Sequence, residues 1–261
     1  MHEIRKRSVV VLAITCLSVL VLTGSPAAGA KARQVKASNP ATLVEKRTTD
    51  LNRILAQGRA RLIQLARLPS VHAGNASACS ADMAALPAIA RYGASGAADR
   101  EGNVFCLGIP FSPPLSIADR AYFLRAIGTR DLGVGDYQTG RVTGLGQVGL
   151  GFPTAVGRRV TGIVLTVLSL DWLQHRITHR RPRRAVDVLV IDDHGTVLAR
   201  AGRRDTRPGT NLGGNALVEA MLSHVRGEGT FRLGRKKLVR TAFDTVPLSD
   251  GNKRVAVSLR R

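Results

Sequence analysis

The apolar positions of this chain follow two rhythms, and the change falls near residue 92. Over 39–68, Leu43, Leu51, Ile54, Leu55, Leu62, Leu65 and Leu68 recur at three- and four-residue spacing, which is one stripe of an α-helix. Asn39 can cap that helix. Pro40 suits its first position, where no N–H is needed, and Leu68-Pro69 ends it. At 1.5 Å per residue the helix is about 40 Å long, more than one small domain needs. A helix of that length can run along two stacked modules or pair with a second copy. Its other face carries Arg47, Arg53, Arg59, Arg61 and Arg67, which reads as a solvated face. A loop and a second helix follow over 70–92, with Ala81, Ala84, Ala85, Leu86 and Ile89 as its small apolar face.

Past residue 92 the period shortens to that of strands. Segments 92–98 and 103–108, joined by Asp99-Arg100-Glu101-Gly102, predict a hairpin. Pro110, Pro113 and Pro114 mark a loop. A short helix over 116–127 and strands over 133–139, 147–152 and 160–169 come next. The last strand is nearly all β-branched or Leu, as a buried central strand should be. Asp171 can cap a helix carrying Trp172, Leu173 and Ile177. The run 179–184 (HRRPRR) is the densest charge block and reads as a linker. The pattern then restarts: a strand over 186–191, a turn at Asp192-Asp193-His194-Gly195, a return strand, a helix over 216–225 and three strands over 230–259. This repeats the first half in architecture, not in sequence.

Composition narrows the picture. A chain of 261 residues has room for one large domain or two small ones. Thirty-nine Lys and Arg against 18 Asp and Glu leave a net charge of +21, which favours anionic partners. The charges are scattered, with no RNA-binding signature, zinc spacing or stacking platform, so nucleic acid is not the expected partner. Arg5, Lys6 and Arg7, an apolar run over 9–22 and Ala28-Gly29-Ala30 have the form of an export signal. The reading of 1–30 is a signal peptide or an N-terminal membrane anchor. Cys16 lacks the small residue that lipidation usually wants before it. Cys79 and Cys106 then remain as an even pair in an exported, extracytoplasmic chain. A disulfide between them would contribute about 3 kcal/mol; two buried free thiols are the alternative.

For catalysis there is little. The six His are scattered, and Gly-x-Ser-x-Gly, HExxH and a phosphate loop are all missing. The glycines Gly144, Gly146, Gly149 and Gly151 lead into a strand, so they serve close packing rather than a phosphate. The expectation is a non-enzymatic protein without metal or cofactor. The stretch 116–141, SIADRAYFLRAIGTRDLGVGDYQTGR, is the exception to a bland surface: aromatics are 4% of the chain, and this stretch has three of them among fixed charges. Apolar walls with a few convergent polar groups are what a small-ligand pocket needs.

An ordered set of phrases resembles a known family: LARLPSV before a Cys, GASGAADREGNVFC, SIADRAYFLRAI, VGDYQTGRVTG, GIVLTVLSLDWL and VLVIDDHGTVLAR. Together they resemble the double Cache sensor module of bacterial histidine kinases, diguanylate cyclases and chemoreceptors. The resemblance covers about residues 39–259. It implies an α+β fold: a long N-terminal helix over 39–68, then two stacked PAS-like modules, each a mainly antiparallel sheet with flanking helices. The distal module would span 69–178, the basic linker 179–184 and the proximal module 185–261. It further implies a small anionic or zwitterionic ligand, a carboxylate or amino acid, in the distal module. Carried over, Arg120, Tyr122 and Arg125 lie on the segment above the sheet, and Asp136, Tyr137, Thr139 and Arg141 on or after the next strand. Asp171 is a further candidate, though it reads more simply as a helix cap. Arg offers a planar fork for a carboxylate, and Tyr a wall with one hydroxyl. Asp136 and Tyr137 alternate on a strand, so only one of them should face the pocket. Phe123 and Ile127 read as core. The family normally continues into a second transmembrane helix and an output domain, and Ala121 stands where Pro is common. The expectation is therefore a sensing module without an output domain of its own, presenting its liganded state to a membrane-bound signalling partner. The alternatives are a polyanion- or envelope-binding structural protein with a vestigial pocket, or a truncated relic of a membrane sensor kinase or cyclase.

Overall fold

The computed structural model describes residues 39–179, 186–202, 206–233, 237–248 and 252–259. The export segment with Cys16, and all of the basic linker but His179, lie outside the described residues. Helix α1 (Pro40–Leu65) opens as its sequence predicts: Pro40 takes the first turn, and Asn39 Oδ1 accepts the Ala41 N–H at 3.2 Å. It stops three residues before Leu68. Leu68 precedes Pro69 and is extended (ψ 130), because the proline ring forbids it the helical conformation. The buried stripe is Val44, Leu51, Ile54, Leu55, Leu62 and Leu65, with Thr48 and Gly58. Val44 takes the place expected for Leu43, which is only half-buried, since the step back from Thr48 along the stripe is four residues. Each buried Leu or Ile contributes about 1.5–3 kcal/mol.

Two short helices follow, α2 (Pro69–His72) and α3 (Ala76–Ala84), the second capped by Asn75. Helix α3 buries Cys79 and Met83 rather than its predicted alanine face. The reason is covalent: Cys79 is joined to Cys106 across 27 residues of chain. In the loop-entropy picture that closure contributes about 3–4 kcal/mol.

The first sheet holds β1 (Tyr92–Asp99), β2 (Val104–Leu107), β3 (Gly133–Thr139), β4 (Gly146–Val156) and β5 (Arg159–Ser169). Helix α4 (Ala121–Thr129) lies between β2 and β3, and α5 (Leu170–His179) follows β5. The second sheet holds β6 (Val186–Ile191), β7 (Val197–Ala201), β8 (Arg226–Leu233), β9 (Lys237–Pro247) and β10 (Asn252–Leu259), with α6 (Ala216–Ser223) between β7 and β8. All pairings are antiparallel. The orders are β2-β1-β5-β4-β3 and β7-β6-β10-β9-β8. Counted from its own first strand, each sheet runs 2-1-5-4-3. The α+β architecture of two PAS-like modules behind a long helix is therefore present.

The repetition extends to single hydrogen bonds. Asp99 Oδ1 accepts the N–H groups of Glu101 and Asn103 at 3.0 and 2.8 Å; Asp192 Oδ1 accepts those of His194 and Thr196, both at 2.9 Å. Gly102 (φ 86) and Gly195 (φ 74) take the left-handed position that each turn requires. The isolated bridge Asn103↔Ser116 matches Thr196↔Asn211.

Helix α1 packs against β4 and β5 of the first sheet and β9 and β10 of the second. One apolar cluster runs from Leu62 and Leu150 to Val188 and Val257, spanning both sheets. A Cβ at Gly58 would meet the Leu150 side chain at 2.7 Å, so helix and sheet approach as closely as glycine allows. Two smaller clusters lie elsewhere, one joining α4 to β1, β2 and β5, the other joining α6 to β6, β9 and β10. Among the described residues no helix is long and apolar enough to cross a membrane.

Candidate functional site

Helix α4 is held down by one aromatic side chain. Tyr122 is 3% exposed, and its ring rests on β4. A Cβ at Gly149 would lie 2.1 Å from Tyr122 Cδ1, and one at Gly151 would lie 3.0 Å from the Tyr122 carbonyl oxygen. The glycines of this strand thus make the seat of the ring, as their place before a strand implied. Phe123 is buried and Ile127 half-buried in the same cluster, so both are core.

Beside Tyr122 lies a cavity of about 60 Å³. Its floor is apolar: Ala94, Leu165 and Val167 from the sheet, and Ile109, Leu115 and Ile117 from the segment leading to α4. Its polar groups are Arg120, Arg141, Gln138, Gln147, Thr143 and the Tyr122 phenol. The mouth is the exposed turn 141–145.

Arg120 occupies the N-cap position of α4, yet makes no capping hydrogen bond. Its guanidinium reaches the other way, donating to Gln138 Oε1 at 3.4 Å and to the Thr139 carbonyl at 3.5 Å. Arg141 forks onto Asp119 at 2.9 and 2.7 Å and also donates to the Ser116 carbonyl. The hydrogen bond from Arg141 holds the Asp119 carboxyl below the usual range. Burial pushes the Tyr122 phenol up to about 12, so it stays protonated at neutral pH and can donate.

Of the eight candidates from the sequence, Arg120, Tyr122 and Arg141 line this cavity; Arg125, Asp136, Tyr137, Thr139 and Asp171 do not. Arg125 points the other way from α4, donating to the Val134 carbonyl at 2.6 Å and pairing with Asp136 and Asp193 at 3.2 Å. Asp136 accepts from Lys253 Nζ at 2.8 Å. The Tyr137 N–H donates to Asp192 Oδ2 at 3.0 Å. Its ring lies against Gly209, where a Cβ would be 2.5 Å away. The pairing of β3 with β4 shifts register between Val134 and Tyr137, which breaks the alternation that strand reasoning relies on. Neither Asp136 nor Tyr137 lines the cavity as a result, and Gln138 does. Thr139 contributes only its carbonyl. Asp171 is exposed in the first turn of α5; the cap there is Ser169, whose hydroxyl accepts the Trp172 N–H at 3.2 Å.

Two features escaped sequence reasoning. Gln138, Gln147 and Thr143 carry neither charge nor ring, and their one signal was a polar side chain in an apolar alternating strand or beside its turn. Lys253 is 2% exposed at the start of β10. It joins Asp136, Asp193 and Arg125 in a charge cluster between α4–β3 and the second sheet, with His194 3.7 Å from Asp136. Burial opposes ionisation of Asp136. The Lys253 ammonium and Arg125 guanidinium outweigh it and hold the carboxyl below its ordinary range.

No family model and no curated protein matches the sequence. Solved structures do match the fold. The ligand-binding domain of the Pseudomonas fluorescens chemoreceptor CtaA in complex with L-isoleucine aligns over 84% of this chain and 90% of that one, with a TM-score of 0.65 and 14% identity. The ligand-binding domain of the Pseudomonas aeruginosa amino acid chemoreceptor PctB in complex with L-Arg aligns over 85% and 93%, with a TM-score of 0.63 and 12% identity. An extracellular ligand-binding receptor from Desulfohalobium retbaense matches over 85% of this chain with a TM-score of 0.58 and 17% identity, and there the chain spans 40% of the receptor's length. The chain therefore has the fold of the double Cache sensor domain, the form shared by the ligand-binding domains of these chemoreceptors.

Proposed function

We propose that this protein is an extracytoplasmic sensing module that binds a small carboxylate or amino acid in the cavity beneath α4. The observation that carries the reading is Arg120. A cation at a helix N-cap opposes the helix dipole and leaves a backbone N–H without its usual acceptor. Local rules broken in this way mark functional positions. Here the guanidinium faces an apolar-floored cavity beside Arg141 and a protonated Tyr122 phenol, the donor set a carboxylate needs. The ligands bound by CtaA and PctB are amino acids, and the chemistry of this cavity fits that size class. The disulfide suits an oxidising compartment and agrees with an export signal or anchor over 1–30.

In this reading the distal module, 69–178, takes the ligand, and the proximal module, 185–261, passes its state to a membrane-bound signalling partner. Helix α1 touches both sheets and offers one route for that coupling; pairing of α1 with a second copy offers another. Catalysis has no part in it. A thermal-shift screen of the purified protein against small carboxylates and amino acids tests the proposal. At least one ligand is expected to raise the melting temperature, and Arg120→Ala to erase that rise while the fold persists. A screen without hits, or hits indifferent to Arg120→Ala, would sink it.

A further inference from the structure

We infer that the cavity takes a short carboxylate bearing no ammonium group, and that it rejects the α-amino acid of equal size. This rests on the reading of the cavity as the ligand site and makes that reading specific. The first ground is charge. Arg120 and Arg141 line the wall, and no carboxylate does. Asp119 sets both oxygens on Arg141 and offsets its charge, so the cation presented to the cavity is Arg120, whose hydrogen bonds go to the neutral Gln138 side chain and the Thr139 carbonyl. Asp136 sits among Arg125 and Lys253, outside the lining.

An α-amino acid would set its ammonium beside the Arg120 guanidinium with only neutral acceptors in the lining to meet it: the Gln138 and Gln147 carboxamides, the Thr143 hydroxyl and the Tyr122 phenol. Neutral acceptors can complete hydrogen bonds but do not offset like-charge repulsion or the loss of water around an ion. A hydroxyl or keto oxygen at the same carbon meets those groups without a charge to bury. The carboxylate itself suits the arginines, and the phenol is protonated and able to donate.

The second ground is size. The cavity is small, about 60 Å³, which favours acids of two or three carbons such as glycolate, lactate and pyruvate.

The test uses matched pairs that differ only in this group, L-lactate against L-alanine and glycolate against glycine, titrated calorimetrically into the purified protein at pH 7. The hydroxy acid of each pair is expected to bind at least about tenfold more tightly, 1.4 kcal/mol. Gln138→Glu adds the missing anion next to Arg120 and is expected to narrow or reverse that ratio. Gln147→Glu serves the same purpose should the first variant lose its melting transition. Alanine binding as tightly as lactate in the unmodified protein would overturn the inference and leave the sensor reading standing. Failure of both members of both pairs, with a longer amino acid binding through Arg120, would also overturn the inference alone. No binding by any acid removes both.

Discussion

The two modules repeat one frame and fill it differently. Ile117 corresponds to Leu212, since each donates its N–H to the turn glycine's carbonyl, Gly102 or Gly195. Three residues on, Arg120 and Asn215 donate back to those residues and occupy the two N-cap positions. Asn215 caps its helix, accepting the Leu217 N–H at 3.0 Å; Arg120 caps nothing. Two residues further, Tyr122 stands where Leu217 stands. The sheets differ to match. Leu165 pairs with Gly151 and with Gly96, while Ala256 pairs with Phe243 and with Leu189, so Phe243 occupies the place of Gly151. In the proximal module Phe243, Leu217, Val218 and Met221 are packed as core. In the distal module Gly149 and Gly151 seat the Tyr122 ring, and Tyr122 and the uncapped Arg120 border the cavity. On a common scaffold, one module sets a phenylalanine of its sheet against an apolar helix, and the other sets glycines beneath a tyrosine beside its candidate site.

The comparison can be broken at its filled half. Phe243→Ala opens the proximal core and is expected to cost about 3–5 kcal/mol in urea unfolding, with the ligand-induced rise in melting temperature retained. Loss of that rise at a concentration of urea where the protein is folded would mean that the proximal core helps form the distal site.

A change of similar size is expected at the seam. Asp136→Asn leaves Lys253 and Arg125 against Asp193 alone. Removing one member of a buried ion cluster costs about 3–5 kcal/mol. The pH dependence has a definite sign. The folded-state value for Asp136 is held below its unfolded value of about 3.9. Its contribution is therefore complete above about pH 4 and lost as the pH falls through the folded value. The unmodified protein should lose stability on acidification more steeply than Asp136→Asn. Parallel curves would show that the cluster is not held by that carboxylate.

The smallest effect is the sharpest. Arg120→Asn gives the distal helix the cap its proximal counterpart already has. Stability should rise by about 1 kcal/mol while carboxylate binding is lost. A variant that is less stable and still binds would mean that Arg120 is structural.

Much of this frame was legible because its causes are local. The stripe of α1, the Asn39 cap, the acidic-Gly turns and the central strand β5 follow from spacing and turn chemistry. Their errors were of one to three residues, as with Val44 for Leu43 and the end of α1 at Leu65. The site was legible in part. Arg120, Tyr122 and Arg141 stood out as charge and aromatic surface in one stretch. Arg125, Asp136 and Tyr137 stood out too but went to the seam, Arg125 from the opposite side of α4 and Asp136 and Tyr137 past a register shift inside β3. Gln138 and Gln147 had no charge to announce them, and Lys253 met Asp136 across 117 residues of chain.

By itself, then, the sequence determined the elements and their order twice over, since helical stripes, strand alternation and Asp-Gly turns are properties of neighbouring residues. Only the tertiary structure decided which charged side chains line the cavity of the distal module. That choice rests on what stands opposite each residue across the sheet, on a glycine or a phenylalanine, and on a strand register that no local pattern carries.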